Sequence, residues 1–207
     1  AVPLIDVALP HQNIDLPEPG PALLREAQRL VSTLDNQPTG PPLGFVPCDY
    51  SQVAQALQTT VANRLATGNT FCEWGSGLGI VTMLASLFGL DACGIEIEPT
   101  LVTAARQLAA SHQLPVSFVT GSYIPPTADA LEVPAGEDFF WMATEADAAY
   151  ETLDQDVADF AIVFAFPWPA EAPIIAQLFE RHARYGALLL TYNHNGSVRL
   201  RRKVQRA

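Results

Sequence analysis

Two hydrophobic rhythms alternate along the 207-residue chain. Short runs that are apolar almost throughout occur at 70–74 (TFCEW), 92–97 (ACGIEI), 116–120 (VSFVT), 159–166 (DFAIVFAF) and 187–192 (ALLLTY). Between them lie longer stretches with apolar residues at helical spacing, at 21–34, 51–65, 80–88, 99–112 and 170–185. A continuous apolar run suits a strand buried on both faces of a parallel sheet. An intervening helix supplies the crossover that parallel strands need. The pattern predicts an α/β fold, a three-layer sandwich with a mostly parallel sheet.

Local signals sharpen the boundaries. Pro21 sits in the first turn of a helix carrying Leu23, Leu24, Ala27, Leu30, Val31 and Leu34 on one side. Asp49 or Ser51 can cap the helix that carries Val53, Ala56, Leu57, Val61 and Leu65. Gly186 is the expected stop for the helix over 170–185. Residues 1–20 lack periodicity and read as an extended arm, lying on the domain or loose. Residues 35–47 hold four prolines and two glycines and form a connector. The division is residues 1–43, arm and helix, and residues 44–207, the main domain. An acidic insertion lies around 125–157. Its apolar cluster of Phe139, Phe140, Trp141 and Met142 predicts a small subelement over the site mouth, and 144–153 a short helix.

The chain is organised around residues 70–106. An apolar run ends on Glu73, a glycine turn follows (Gly75-Ser76-Gly77-Leu78-Gly79), then a helix, then a second run ending on Glu96 and Glu98. Glycines allow a tight turn and close ligand approach. The next helix is expected to aim its free N–H groups and positive dipole end at the ligand. An acid at the tip of the second strand, about 20 residues on, suits a ribose diol, and Glu96 lies there. The dinucleotide fingerprint G-x-G-x-x-G/A is not matched, because Gly79 comes one residue early and Ile80 takes the expected place. Glu73 would also face a pyrophosphate with negative charge. S-adenosylmethionine (SAM) fits better: adenosine, an amino acid and a sulfonium.

Glu-x-Gly-x-Gly-x-Gly after a strand, then Gly94-Ile95-Glu96 closing the next, resembles the class I SAM-dependent methyltransferases. Residues 44–126 are similar to the lysine methyltransferases that modify the ATP synthase c-subunit, and more distantly to the non-SET histone lysine methyltransferases. The residues that carry this are Phe45-Val46-Pro47, a helix, the glycine motif, Gly94-Ile95-Glu96-Ile97-Glu98-Pro99 with Leu101-Val102 and Ala105-Arg106, and Val116-Ser117-Phe118. The resemblance implies a Rossmann-like sandwich with SAM as cofactor. It places the methionine part at Glu73, Gly75, Ser76, Gly77 and Gly79, and the ribose at Glu96. Ile97, Ser122 and Tyr123 would frame the adenine, with Pro47 and Tyr50 on the cofactor side or simply packed. Where the family often has an acid for the adenine amino group, this chain has Ser122. Tyr123 either covers the adenine or belongs to the core.

The resemblance places the methyl-transfer site at Phe166-Pro167-Trp168, followed by Pro169. Methyltransferases acting on nitrogen often carry Asn/Asp-Pro-Pro-aromatic in this loop, and the variant here lacks the Asn/Asp. An aromatic face still suits an ammonium acceptor; the other reading of Trp168 is a packed turn residue. The complete fold usually adds a helix and two strands after 187–192. Only one basic strand, 198–204, fits here. The sheet is therefore expected to be short at its C-terminal edge, or completed by a partner subunit in a homo-oligomer.

Composition narrows the partners. Apolar residues make up 49% and charged residues 16%, enough for one core. No run reaches the ~18 residues of a membrane span, and no signal peptide is seen. The net charge of −11 disfavours a nucleic-acid partner. Ten acids and no Lys or Arg lie within 129–159, while five of the eleven basic residues lie within 199–206. The acids are a solvated loop or a rim that attracts a basic protein or small amine. Three cysteines without a paired spacing fit a reducing, cytoplasmic setting, and the four histidines show no metal-ligand spacing. The leading expectation is a SAM-dependent methyltransferase with an amine acceptor such as a protein lysine. The alternatives are a non-catalytic SAM-binding interaction module and a nicotinamide-dependent oxidoreductase.

Overall fold

The computed structural model describes residues 4–10, 15–128 and 149–205. In chain order the elements are β1 (Leu4–Asp6), α1 (Gly20–Asp35), α2 (Tyr50–Ala62), β2 (Thr70–Trp74), α3 (Ile80–Leu87), β3 (Asp91–Glu96), α4 (Pro99–Ser111), β4 (Ser117–Thr120), α5 (Ala149–Leu153), β5 (Ile162–Ala165), α6 (Ala172–His182), β6 (Leu188–Tyr192) and β7 (Val198–Lys203). They form one seven-stranded sheet of order β1-β7-β6-β5-β2-β3-β4. Strands β2 to β6 run parallel. β7 is antiparallel to β6, and β1 is antiparallel to β7. This is the Rossmann-like three-layer sandwich that the alternation of runs predicts.

Side-chain alternation along β2 builds the layers. Successive residues point to opposite faces of a strand. Phe71 enters one core with Leu23 of α1, Leu57 of α2, Met83 of α3 and Leu101 of α4. Cys72 and Trp74 enter the other, with Tyr150 of α5 and Ile175, Leu178 and Phe179 of α6. Burying a large apolar side chain is worth about 1.5–3 kcal/mol, so both faces of the run must be covered.

The strand order fixes where a ligand can sit. β3 and β4 extend the sheet from one side of β2, and β5 and β6 from the other. The crevice of such a sheet lies beyond the carboxyl ends of its strands, where the order reverses. Trp74 at the end of β2 stands in register with Ala165 at the end of β5. The loops after these two strands therefore emerge side by side.

Several expectations need correction. The sheet is not truncated: the N-terminal arm supplies its outer strand. Leu4, Ile5 and Asp6 stand opposite Lys203, Arg202 and Arg201. The Val7 N–H donates to the Leu200 carbonyl at 2.8 Å, and Arg199 holds Asp6 through two hydrogen bonds of 2.7 and 3.1 Å. A strand of three residues has no periodicity to read, and its partner lies at the far end of the chain. Helix α6 stops at His182, short of Gly186, because Ala183 is extended (φ −72°, ψ 156°) and its carbonyl accepts from the buried Lys203 ammonium. Gly186 (φ 85°) instead turns the chain into β6, and its N–H donates to the Lys203 carbonyl at 2.8 Å. Residues 157–159 form a 3-10 turn, Val157–Asp159, locked by reciprocal Asp156 and Asp159 caps, so β5 begins later than the apolar run. Helix α2 ends three residues before Leu65, at Ala62, where Arg64 turns left-handed (φ 51°).

The cluster Phe139, Phe140, Trp141 and Met142 lies outside the described residues, as do 144–148 of the predicted short helix; α5 is its remainder. Among the described residues no helix is long and apolar enough to cross a membrane, and no group of His, Cys, Asp and Glu could hold a metal ion.

Candidate functional site

An open cleft with about 130 Å³ of enclosed space lies over the carboxyl ends of the parallel strands. Its lining follows the sheet order. Ser122 and Tyr123 come from the loop after β4, Glu96 and Ile97 from the end of β3, and Glu73 to Gly77 from β2 and its glycine turn. Phe166, Pro167, Trp168 and Glu171 follow β5, and His194 follows β6. With strands ~4.8 Å apart, the cleft crosses four strand spacings, about 19 Å. Phe45 approaches from the segment that leads into α2, and Tyr50 from the first turn of α2.

The glycine turn is closed by internal hydrogen bonds. The N–H groups of Gly75 and Ser76 both donate to the Ile95 carbonyl at 2.9 Å, and that of Gly79 to the Ser76 carbonyl at 2.7 Å. The Gly77 N–H donates to Glu96 Oε2 at 2.8 Å. Thr82, in the first turn of α3, donates its N–H (2.8 Å) and its hydroxyl (2.6 Å) to Glu73 Oε2. The expectation that α3 aims its free N–H groups at the ligand is therefore corrected at Thr82, where Glu73 takes the donor. These donors are not left to form the N–H cradle that holds a pyrophosphate.

Two carboxylates remain at the cleft floor. Glu73 is 4% exposed and Glu96 8%. Burial pushes the Glu73 carboxyl up to about 8. The Thr82 hydrogen bonds pull the other way, and the nearby Glu96 charge adds to the rise. Glu96 is also raised by burial, offset by N–H donors including Gly77 and Glu98, the latter at 2.9 Å on Oε1. Each carboxylate oxygen carries two lone pairs, so Glu96 keeps capacity for further hydroxyl donors. A buried acid with a raised pKa is a site that a cation would ionise.

The other cofactor-side residues divide. Gly75 (φ 72°) has open space where a side chain would be, so a ligand can lie against its backbone. The Ser76 hydroxyl is buried without a hydrogen-bond partner in the protein, which fits a ligand donor or acceptor at that point. Ser122 is buried, and its hydroxyl accepts from the Ile124 N–H at 3.1 Å. Tyr123 stacks on Trp74 at 5.5 Å and 9°; it lines the cleft and packs on the core at once. Burial raises its phenol, and the charges of Glu171 and Glu96 raise it further. The Tyr50 phenol is raised by burial, then by Cys48 and Glu73. Gly79 and Pro47 do not line the cleft. Gly79 caps α3 in a left-handed conformation (φ 70°) beneath the Phe118 ring, a packing role; Pro47 is exposed.

At the β5–β6 end the loop 166–171 forms an aromatic wall. Trp168 stacks on His194 (4.9 Å, 29°), His194 leans on Phe166 (4.7 Å), and Phe166 meets Tyr192 edge-on (4.9 Å). Glu171 is 4% exposed. Its Oε2 accepts the Trp168 N–H at 3.0 Å, and its own N–H donates to the Trp168 carbonyl at 2.9 Å. Burial raises its pKa, against the lowering effect of that hydrogen bond. Glu171, His194, Phe45 and Cys48 also line the cleft, and no sequence pattern marks them as site residues. The position of Glu171 five residues beyond Phe166 is the one sequence signal for it; His194 follows a different strand, and no spacing joins it to Trp168.

No protein-family model and no curated protein matches the chain. Solved structures do. An RNA methyltransferase from Salinibacter ruber in complex with S-adenosyl-L-homocysteine is 16% identical, over 78% of this chain and 96% of that one, with a TM-score of 0.53. An O-methyltransferase from Bacillus cereus in complex with SAH is 15% identical, over 82% of this chain and 65% of that one, with a TM-score of 0.51. At these identities the likeness is one of fold.

Proposed function

We propose that this chain is a SAM-dependent methyltransferase whose acceptor is an amine, such as a protein lysine side chain. The observation that carries the cofactor assignment is the hydrogen-bond accounting of the glycine turn. The N–H groups of Gly75, Ser76, Gly77 and Gly79 serve Ile95, Glu96 and Ser76, and that of Thr82 serves Glu73, which withdraws these five donors from an anion and sets two buried carboxylates at the floor. Such a floor suits a diol and a cationic centre and opposes a diphosphate, so it favours SAM over a nicotinamide dinucleotide. In this reading Glu96 takes the ribose hydroxyls, and Glu73 and Ser76 serve the methionine part. Ile97, Ser122 and Tyr123 frame the adenine. The fold shared with two SAH-bound methyltransferases is in keeping with it.

When bound, SAM supplies a methyl carbon made electrophilic by the sulfonium. The chain's own task is alignment and exclusion of water. Phe166, Pro167 and Trp168 cover the β5 end of the cleft and shape the place of transfer. The amine assignment rests on that aromatic wall, on the acid beside it, and on the resemblance of residues 44–126 to lysine methyltransferases. A second reading, a SAM-binding module without turnover, draws on the missing Asn/Asp in Phe166-Pro167-Trp168-Pro169.

Thermal unfolding with SAM, SAH or NADH tests the cofactor. A ligand at 100 times its Kd adds about 2.7 kcal/mol, a rise of roughly 5–10 °C for a chain of this size. A rise with both adenosyl compounds and none with NADH is expected. No rise with any, in protein freed of carried-over ligand, would sink the proposal. Methyl transfer to basic peptides then separates the enzyme from the binding module.

A further inference from the structure

Among the described residues, five large hydrophobic side chains are notably exposed, and three of them, Leu43 (77%), Val46 (39%) and Trp168 (37%), rim the cleft. An apolar rim above buried carboxylates is an unusual pairing. It matches a ligand with an alkyl stem and a cationic head, since the stem covers apolar surface while the head reaches an acid. The three buried acids of the cleft come from different elements. Glu73 and Glu96 belong to β2 and β3, where the cofactor reading already uses them. Glu171 stands apart, beyond β5, on the loop that carries Trp168 and beside the loop that carries His194.

We propose that the β5–β6 end of the cleft is an acceptor subsite for a primary amine on an alkyl stem: Glu171 receives the ammonium and takes its proton, and the Trp168–His194 stack holds the stem. The inference rests on the methyl-transfer reading above. Three features support it. The reciprocal hydrogen bonds between Glu171 and Trp168 fix the carboxylate to the aromatic wall. The 4.9 Å stack of Trp168 on His194 offers a flat face beside that carboxylate. Finally, burial raises the Glu171 carboxyl, and the same apolar surroundings lower an ammonium, so the gap that proton transfer must cross narrows.

The balance closes. R–NH3+ gives one proton to the Glu171 carboxylate. The lone pair so freed forms the N–C bond to the methyl carbon. The C–S bond breaks and its electron pair stays on sulfur, which becomes a neutral thioether. The product leaves as R–NH2+–CH3, and Glu171 returns its proton to water.

The test is a titration of SAH-saturated protein carrying 5-fluorotryptophan, with the Trp168 resonance assigned through Trp168→Phe. The probe is n-butylammonium chloride; n-butanol and sodium chloride are the controls. A saturable shift of the Trp168 signal with butylammonium alone is expected. Glu171→Gln, which keeps an acceptor for the Trp168 N–H, should weaken it at least tenfold and leave the thermal shift by SAH unchanged. No saturable shift in the wild type, an equal shift with butanol, or equal affinity in Glu171→Gln would overturn the proposal. If Glu171→Gln does not fold, His194→Ala in its exposed loop decides: several-fold weaker binding supports the subsite, and unchanged binding overturns it. Should SAH fail to stabilise the wild type, it is the methyltransferase reading that falls.

Discussion

The carboxylate of Glu73 is buried at the tip of β2 and accepts both the N–H and the hydroxyl of Thr82, at 2.8 and 2.6 Å. It thereby ties the strand to the first turn of α3 and faces the cleft from behind the glycine turn. One side chain thus serves the fold and the site. The two roles respond differently to mutation.

Thr82→Val removes the hydroxyl donor and keeps the backbone bond. Losing one buried hydrogen bond costs about 1–3 kcal/mol, read as a lower midpoint in urea. Glu73→Gln keeps an acceptor for Thr82 and removes the charge. It should leave ligand-free stability near pH 8 unchanged or slightly raised, and weaken SAM binding by at least tenfold in calorimetry. Equal binding by the Gln variant would remove Glu73 from the site.

The pH dependence follows with a definite sign. The folded-state pKa of Glu73 is about 8, against a reference value of 4.5. The folded state therefore holds more protons between those values, and ligand-free stability should fall as pH rises from about 4.5 to about 8, then level off. Glu96, also raised by burial, acts in the same direction. A cationic ligand opposes this, so SAM affinity should rise across the same window and binding at pH 7 should release a proton. Calorimetry in buffers of different ionisation enthalpy measures that release; identical heats in all buffers would show Glu73 already ionised.

Two glycines should fail in different ways. A Cβ on Gly79 would collide with the Phe118 ring and press on Ala105, so Gly79→Ala is expected to cost several kcal/mol, like other overpacked core changes (about 1–3) with the left-handed strain of about 1–2 added. Gly75→Ala meets nothing within 4 Å and should cost only the backbone strain of about 1–2 kcal/mol. Its Cβ would project where a ligand is expected, so SAM binding should fall at least tenfold. Circular dichroism melts and SAM titrations on both variants separate the two effects.

Removing residues 1–9 would uncover the edge of β7, with loss of the Asp6–Arg199 pair and the Val7 hydrogen bond to Leu200. An uncovered edge invites pairing with another chain. The shortened protein is expected to melt lower and to self-associate more on size-exclusion chromatography with light scattering. An unchanged mass and melting point would show the arm dispensable.

The sequence alone determined the elements from α1 onward that show a period or an apolar run, and the floor of the site. Its apolar runs end on Glu73 and Glu96, the glycine turn sits between them, and each helix shows its stripe, because local periodicity records which residues must be buried. It could not show where each N–H goes, so the closure of the glycine turn onto Ile95 and Glu96 emerged only with the fold. The tertiary structure also decided which strand stands beside which. β5 pairs with β2 from Phe71 opposite Ile162 to Trp74 opposite Ala165, far apart in sequence, and that pairing brings Trp168 and Glu171 to the cleft. β6 then adds His194, and β1 closes the edge from the other end of the chain. Such neighbours are chosen by the packing of the whole sheet against both helical layers, and no local pattern records them.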